Sequence, residues 1–356
     1  MLELIELLKI ALGKARELDT PFEESQWDAV YSEAKKQALL GVCYKAVESL
    51  PDEQKPSKRI KVQWALTVEK IEDRNARMDS YTRKITQKMS ALGPKSCIIK
   101  GQGVAALYPW PELRQCGDID IWVDGGHKKI VPLLRENMAV GEIFYHHANV
   151  AAFPDGTCVE VHFHPSWMND PFMNRRLMRW FDSQASAQFG NYFLDKGFSI
   201  PTVEFNLVYN MVHIYRHLLS EGVGMRQLMD YYFILNNSNS EERFSAVKVF
   251  KSLHMMRFVA AVMYAQQKFF DIDDKFLLCE PDVRTGSLLL QDVSISGNFG
   301  YGDDRNASLH SENFFIRGVQ KMKRLSRFIT IAPLEVLWAP AFKIWQWCWR
   351  VKNHYC

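Results

Sequence analysis

The chain has 356 residues, of which 47% are hydrophobic and 24% charged, and its length predicts more than one domain but fewer than three. It carries 44 Lys and Arg against 41 Asp and Glu, and a net charge of +3 argues against nucleic-acid binding by bulk charge alone. The charge is uneven, since residues 305–356 have a balance of +7 and residues 1–304 a balance of −4. A weakly acidic body therefore carries a basic tail that is rich in Trp.

Three further classes of protein are disfavoured. The seven Cys are odd in number and include no C-x-x-C pair, which argues against a disulfide framework or a zinc knuckle and predicts a reducing, cytoplasmic location. The N-terminus is typical of an amphipathic helix, because Glu3 and Glu6 lie in it and no basic start precedes the apolar stretch of a secretory signal. No run of about 18 apolar residues exists, so we expect no membrane-spanning segment.

Residues 1–92 form a predicted helical region. Apolar residues between Trp27 and Leu39 recur at helical spacing, and a second apolar stripe follows Gly41. Residues 57–92 are rich in charge and contain neither Pro nor Gly, which predicts one long helix.

Residues 93–166 have the pattern of a small α/β or α+β unit. A Pro-Asp-Gly sequence at 154–156 is a strong hairpin signal. The predicted elements, in chain order, are a strand at 96–99, one or two helical turns, a strand at 117–123, a short helix within 127–137 with Pro132 as an alternative start, and a hairpin of 148–153 and 157–163.

Residues 167–302 are predicted to form a second helical domain, and residues 303–356 form the basic tail. We expect Pro333 and Pro340 to break the tail into short pieces. The clearest helices of the second domain are predicted at 204–219, 225–235 and 246–270.

The sharpest chemical signal lies in the strand at 117–123. Residues two apart on a strand share a face, so Asp118 and Asp120 point the same way while Ile119 and Ile121 enter a core. Two adjacent carboxylates repel each other unless a cation lies between them, and Mg²⁺ prefers carboxylate oxygens and bridges to phosphates. Gly117 leaves room beside the pair. Taken alone, the motif is equally consistent with two solvated carboxylates.

A second strand strengthens the metal interpretation. Glu160 and His162 alternate with apolar residues and share one face. If this strand lies beside the first, Glu160 adds a third carboxylate, and three carboxylates on two neighbouring strands are typical of a two-metal phosphoryl- or nucleotidyl-transfer site. For His162 alone we favour a hydrogen-bonded surface histidine.

These segments together resemble the uncharacterised bacterial nucleotidyltransferase family of the polymerase-beta-like superfamily, over roughly residues 20–302. The resemblance implies an α+β fold, in which a small mixed-sheet nucleotidyltransferase core is flanked by N-terminal and C-terminal helical domains. It implies that Asp118 and Asp120 bind metal, and that Glu160 binds metal or acts as general base. It rests on Ile99-Lys100-Gly101 through Tyr108-Pro109, Arg114, Gly117 to Ile121, Val159 to His162, and later His213, His217, Arg226, Asp230 and Gly297-Asn298-Phe299-Gly300.

The chain departs from the family at the turn that holds the nucleotide phosphates. The usual Gly-Ser or Gly-Gly is replaced by Lys100-Gly101-Gln102-Gly103. Lys100 can contact phosphate as a point charge, and Gly101 and Gly103 still permit a backbone cradle. Arg114 is equally consistent with a bidentate phosphate contact and with a surface salt bridge.

Other polar residues are assigned to the cleft between the sheet unit and the second helical domain. His213 and His217 are four apart on one helix and so share a face. Arg226 and Asp230 are interpreted equally as a helix-surface pair or as members of a polar network that faces the site. The sequence Asp271-Ile272-Asp273-Asp274 repeats the D-x-D pattern, but it follows a long helix and is interpreted as a loop.

The sequence therefore predicts a Mg²⁺- or Mn²⁺-dependent enzyme that moves a nucleoside monophosphate from an NTP, with ATP preferred, to an acceptor, which is a small molecule, a protein or an RNA. The alternative is a non-catalytic module that binds a nucleotide or a partner on the same fold. For the tail, three interpretations stay open: a packed terminal arm, a membrane-surface anchor, or a contact for a partner or an RNA.

Overall fold

The computed structural model describes residues 1–300, Asp303 and residues 314–355. The start of the predicted tail, and part of the loop predicted at 297–302, lie outside the described residues. Within the described part, no helix is both long enough and apolar enough to cross a membrane.

The N-terminal region is helical, as predicted. Ile60, Trp64 and Val68 recur on one face of the long helix α4 and are buried in the helical core. Further along α4, Met78 and Ile85 enter a second core behind the sheet. The helices are α1 (Leu2–Ala11), α2 (Glu24–Lys36), α3 (Leu40–Ser49) and α4 (Lys58–Ala91).

The middle of the chain forms a five-stranded mixed sheet in the order β1-β2-β5-β4-β3. Strands β2 and β5 are parallel, and the other neighbours are antiparallel. Alternate residues face opposite layers: Trp122 joins the helical core, whereas Ile121 joins the core behind the sheet. The elements are β1 (Ser96–Ile99), α5 (Gly101–Ala105), β2 (Ile119–Val123), α6 (Gly126–Asn137), β3 (Ala139–Ile143), β4 (His147–Ala151) and β5 (Cys158–His162).

The second half of the chain is mostly helical. Arg324, near the end of α13, and Phe328, just after it, are fully buried, so the tail packs on the body of the protein. The elements are α7 (Pro171–Gly190), the small hairpin of β6 (Tyr192–Phe193) and β7 (Phe198–Ser199), α8 (Val203–Ser220), α9 (Met225–Asn236), α10 (Ser240–Ser252), α11 (Met256–Phe270), α12 (Val283–Ser296), α13 (Phe314–Arg327) and α14 (Pro333–Lys352).

The fold class is confirmed as α+β with a small mixed sheet, but three local features differ from the prediction. Strand β3 was not predicted. The helix predicted within 127–137 is present as α6, and it begins at Gly126, so Pro132 lies inside it and is not its start. The helix predicted at 246–270 is two helices, because His254 adopts φ = +55° between them without a Gly or Pro to mark the break. Pro340 lies within α14 and does not divide it, since a helix supported by tertiary packing tolerates the lost hydrogen bond.

Helix α14 bridges two parts of the molecule. Glu335, which is 1% exposed, accepts hydrogen bonds from the backbone N–H groups of Asn169 and Asp170 and pairs with Arg216 of α8. At its other end, Trp349 packs on His127 of α6. The described part of the tail therefore lies against both the helical domain and the sheet unit, as in the first of its three interpretations.

Candidate active site

The three predicted carboxylates meet where β2 and β5 lie side by side. The parallel register sets Asp120 opposite Glu160, and Asp118 directly precedes β2. One ligand oxygen from each of the three carboxylates lies within 4.8 Å of the others. The alternating pattern causes this placement, because Ile119, Ile121, Val159 and Val161 all enter the core behind the sheet and turn the carboxylates to the other face.

The charges of the cluster act on one another. The charge of Asp120, together with burial, raises the pKa of Asp118 to about 6. Burial opposes the ionisation of Glu160, but the hydrogen bond from His162 and the charge of Lys100 hold its pKa well below its ordinary value. The charge of Asp120 thus destabilises the anionic form of Asp118, whereas Glu160 is held ionised. A hard divalent cation would offset this repulsion, and the all-oxygen donor set suits Mg²⁺ or Mn²⁺.

Lys100 lies inside the cluster. Its ammonium group pairs with Oδ1 of Asp120, its side chain is only 15% exposed, and the nearby carboxylates raise its pKa despite burial. Its backbone adopts φ = +59° and ψ = −154°, a conformation that costs a non-glycine residue about 1–3 kcal/mol. The surrounding structure thus holds Lys100 in strain against the carboxylates, and the phosphate contact of Lys100 stays a prediction.

A histidine cluster borders the carboxylates, and the sequence analysis did not find most of it. Nε2 of His162 lies 2.9 Å from Oδ1 of Asp120, so His162 is a buried site residue and not the favoured surface histidine. Nε2 of His147 lies 3.7 Å from Oε1 of Glu160, and its Nδ1 lies 2.7 Å from Nε2 of His146. Burial lowers the pKa of His147 to about 4. The available signal was that His146 and His147 directly precede the strand predicted at 148–153, which forms a hairpin with the strand that carries Glu160 and His162.

His147, Glu160 and His162 form a second set of potential metal ligands. One ligand atom from each lies within 4.8 Å of the others. This set shares Glu160 with the carboxylate cluster and adds imidazole nitrogen, which Mn²⁺ and Zn²⁺ accept more readily than Mg²⁺.

The predicted glycines have different surroundings. Gly101 and Gly117 line the cavity in front of the carboxylates. The N–H of Gly103 donates to the carbonyl of Lys100, and a Cβ at Gly103 would lie 2.4 Å from the carbonyl oxygen of Ile98. Gly103 therefore permits close backbone packing, and its N–H is already used within the turn. This differs from the phosphate cradle that the sequence predicted.

Arg114 forms a salt bridge, but the pair is buried and is not the surface salt bridge of its second interpretation. Its Nε and Nη2 each lie 2.7 Å from an oxygen of Asp230, and Tyr108 donates to the same carboxylate at 2.6 Å. Arg226 donates instead to the carbonyl of Gln115 at 2.8 Å. Arg226 and Asp230 thus belong to a largely buried network that joins α9 to the segment before β2 and borders the cavity.

His213 and His217 line the cavity from α8, as expected. Their ring centroids are 4.2 Å apart, and burial, with the charge of Lys100, lowers the pKa of His213 well below its ordinary value. Phe299 packs 4.8 Å from His217 and 5.3 Å from Arg226. The Gly-Asn-Phe-Gly segment therefore closes one side of the cavity.

The cavity has a volume of about 1840 Å³ and is walled by the sheet unit, by α8 and α9, and by the tail. None of the three interpretations of the tail placed it in the wall of this site. The tail residues that line the cavity are Asp303, Gly318, Lys321, Met322, Leu325, Ala339, Pro340, Lys343, Ile344, Gln346 and Trp347.

Comparison with known proteins identifies a family for the chain. One solved structure that matches part of the chain is an antigenic nucleotidyltransferase-like protein from Paracoccidioides brasiliensis, which is 15% identical; the match covers 54% of this chain and 92% of the other, with a TM-score of 0.31. No curated protein matches the chain significantly. The model of a family described as uncharacterised nucleotidyltransferase matches residues 23–271, which is most of the chain. The chain belongs to this nucleotidyltransferase family.

Proposed function

We propose that the protein transfers a nucleoside monophosphate from an NTP, with ATP preferred, to a hydroxyl-bearing acceptor with the help of Mg²⁺ or Mn²⁺. The observation that carries the proposal is the convergence of Asp118, Asp120 and Glu160 from two parallel strands. Membership in a nucleotidyltransferase family supports the class of reaction.

Each carboxylate has a role in this proposal. Asp118 and Asp120 hold the cation, whose chemistry is to neutralise the triphosphate and to make the acceptor oxygen more nucleophilic. Glu160 is the residue that either ligates the cation or takes the hydroxyl proton. Its depressed pKa favours ligation, because a carboxylate that is hard to protonate is a weak base.

The reaction balances as an in-line displacement. The acceptor oxygen forms a bond to the α-phosphorus, the bond from that phosphorus to the β-phosphate oxygen breaks, and pyrophosphate leaves. The hydroxyl proton is released to solvent. The contribution of the protein is mainly positioning and charge stabilisation.

The test uses ATP labelled at the α-phosphate, Mg²⁺ or Mn²⁺, and cell extract as the source of acceptor. We expect label to enter an acceptor with the wild type and to be lost in Asp118→Asn, Asp120→Asn and Glu160→Gln. Asp124→Asn is the matched control, because Asp124 directly follows the same strand, is exposed and does not line the cavity. Label transfer that survives the three site substitutions would contradict the proposal.

The alternative function, a module that binds nucleotide without turnover, is favoured by the ion pair between Lys100 and Asp120 and by the altered phosphate turn. Calorimetric titration with ATP, combined with the label-transfer assay, distinguishes a binding module from an enzyme. Divalent-dependent ATP binding without transfer to any acceptor favours the module, and its loss in Asp120→Asn would locate that binding at the carboxylates.

The cytoplasmic location is also a proposal. It is supported by the free thiols of Cys43, Cys97, Cys116, Cys158, Cys279 and Cys348 among the residues that the structure describes.

A further inference from the structure

The wall of the cavity that the tail provides is basic. Lys321 on α13 and Lys343 on α14 line it, as does Arg216 of α8, and the three positive charges act on one another. Both lysines lie outside residues 23–271, the segment that matches the family. Their presence in the wall is thus a property of the tail of this chain.

Among the residues that the structure describes, the two lysines have no carboxylate partner of their own. Arg216 is neutralised by Glu335. Within the described part of the chain, neither Lys321 nor Lys343 forms a salt bridge, and the ammonium of Lys343 contacts Oε1 of Gln346 at 3.5 Å. One carboxylate, Glu221, attracts Lys321, but it also lies 3.5 Å from His217.

The lowered pKa values of both lysines show that their surroundings disfavour a positive charge that no anion fully balances in the described part of the chain. Loss of hydration and the charges of Lys321 and Arg216 lower the pKa of Lys343 to about 8. Loss of hydration and the charge of Arg216 also lower the pKa of Lys321. An anion between them would relieve this repulsion.

Two further donors lie in the same wall. The guanidinium of Arg216 stacks 4.6 Å from the ring of Trp167. Nε of Arg216 and Nε1 of Trp167 are both buried without a hydrogen-bond acceptor among the described residues. Buried donors without acceptors are rare, and a ligand is one way to satisfy them.

We propose that Lys321 and Lys343, with the unused N–H groups of Arg216 and Trp167, form a phosphate subsite in the active-site cavity. This inference rests on the proposed function, which brings phosphate into the cavity. The phosphate belongs either to the β,γ end of the NTP or to a phosphorylated acceptor. A cavity of about 1840 Å³ exceeds the ~300–1000 Å³ of a typical ligand site, so two substrates fit.

The test is calorimetry on the full chain with ATP, AMP and inorganic phosphate, comparing wild type with Lys321→Gln/Lys343→Gln. The matched control is Lys323→Gln/Lys352→Gln, which removes the same charge from the same two helices at exposed positions outside the cavity wall. Melting temperatures establish that both variants fold.

The outcomes distinguish the two possible sources of the phosphate, which are the NTP and a phosphorylated acceptor. A loss of about tenfold or more for ATP with no loss for AMP assigns the subsite to the β,γ-phosphates. A loss of the same size for inorganic phosphate, with ATP unchanged, assigns it to a phosphorylated acceptor. Unchanged binding of both ATP and phosphate, or an equal loss in the control, overturns the proposal.

Calorimetry with inorganic phosphate on the Asp118→Asn/Asp120→Asn variant tests the subsite separately from the proposed function. Phosphate binding that persists there, in a protein that transfers no label, supports the subsite independently. If the wild type itself transfers no label but binds phosphate through the two lysines, the proposed reaction fails and the subsite stands.

Discussion

The ammonium group of Lys100 pairs with the carboxylate of Asp120, the central member of the candidate metal site. Asp120 is 2% exposed and also contacts His162. In the metal-free protein, Lys100 therefore supplies the positive charge that the cluster needs. The proposed cation and Lys100 are expected to compete for this carboxylate.

Replacement of Lys100 by Met tests that competition. We expect the metal-free variant to lose about 3 kcal/mol of stability, because a buried carboxylate loses its cation. Added Mg²⁺ or Mn²⁺ should raise its melting temperature by more than that of the wild type. An equal rise in the two proteins would show that Lys100 does not compete with the metal.

Asp118→Asn should have opposite effects with and without metal. Since the charge of Asp120 raises the pKa of Asp118 from 3.8 to about 6, the folded state takes up protons more readily than the unfolded state between these values. Asp118 therefore costs stability progressively as the pH rises from about 4 to about 6.

The metal-free Asp118→Asn variant should consequently exceed the wild type in stability by about 3 kcal/mol at pH 7, with little difference at pH 4. Melting curves across this pH range, without metal and again with Mg²⁺, check both effects. The variant should be more stable than the wild type without metal and less stable than the wild type with it. A variant that is less stable than the wild type at pH 7 without metal would contradict the expected repulsion.

Gly103→Ala should destabilise the turn after β1. The added Cβ would lie 2.4 Å from the backbone carbonyl of Ile98, and the expected loss is about 1–3 kcal/mol. Gly117→Ala is the control, because a Cβ there meets no atom within 4 Å. Urea unfolding of both variants decides the point. An equal loss at the two positions would argue against the packing role of Gly103.

Asp230→Asn should cost about 3–5 kcal/mol, because it leaves the buried guanidinium of Arg114 without a charged partner. Arg59→Ala breaks exposed ion pairs to Glu24 and Asp28 and should cost less than about 1 kcal/mol. Chemical denaturation measures both. A small effect of Asp230→Asn would mean that Arg114 finds another partner, such as the phosphate that its sequence context suggested.

Phosphate binding by the tail wall should depend on pH. Lys343, with a pKa of about 8, is charged below that pH and neutral above it, so affinity should fall between pH 7 and about 9. The charged or titratable groups around it are Arg216, Lys321, Glu221 and His217. Lys343→Arg should keep its affinity at pH 9, because the guanidinium stays charged. The same decline in that variant would assign the pH dependence to another group.

Much of the site could be predicted from local pattern. Strict alternation from Gly117 to Ile121 and from Cys158 to His162 fixes which side chains share a face, because the repeat of a strand is two residues. The hairpin signal at 154–156 and the uninterrupted helix α4 were recognisable for similar local reasons. These features depend on neighbours in the chain.

The partners of charged residues depended on tertiary structure. Arg114 meets Asp230 across 116 positions, and Lys100 turns to Asp120 through a strained backbone that no local signal marks. Local pattern also gave no sign that α14 continues through Pro340 along the cavity, since packing against distant residues stabilises it.

The sequence by itself determined that three carboxylates would lie on one face of two strands, because alternation is a property of adjacent residues. Only the tertiary structure decided that these strands are neighbours, that Lys100 and three histidines surround them, and that the basic tail closes the cavity. The physical reason is that ion pairing and burial act between residues far apart in the chain, and one sequence carries no record of which distant charges meet.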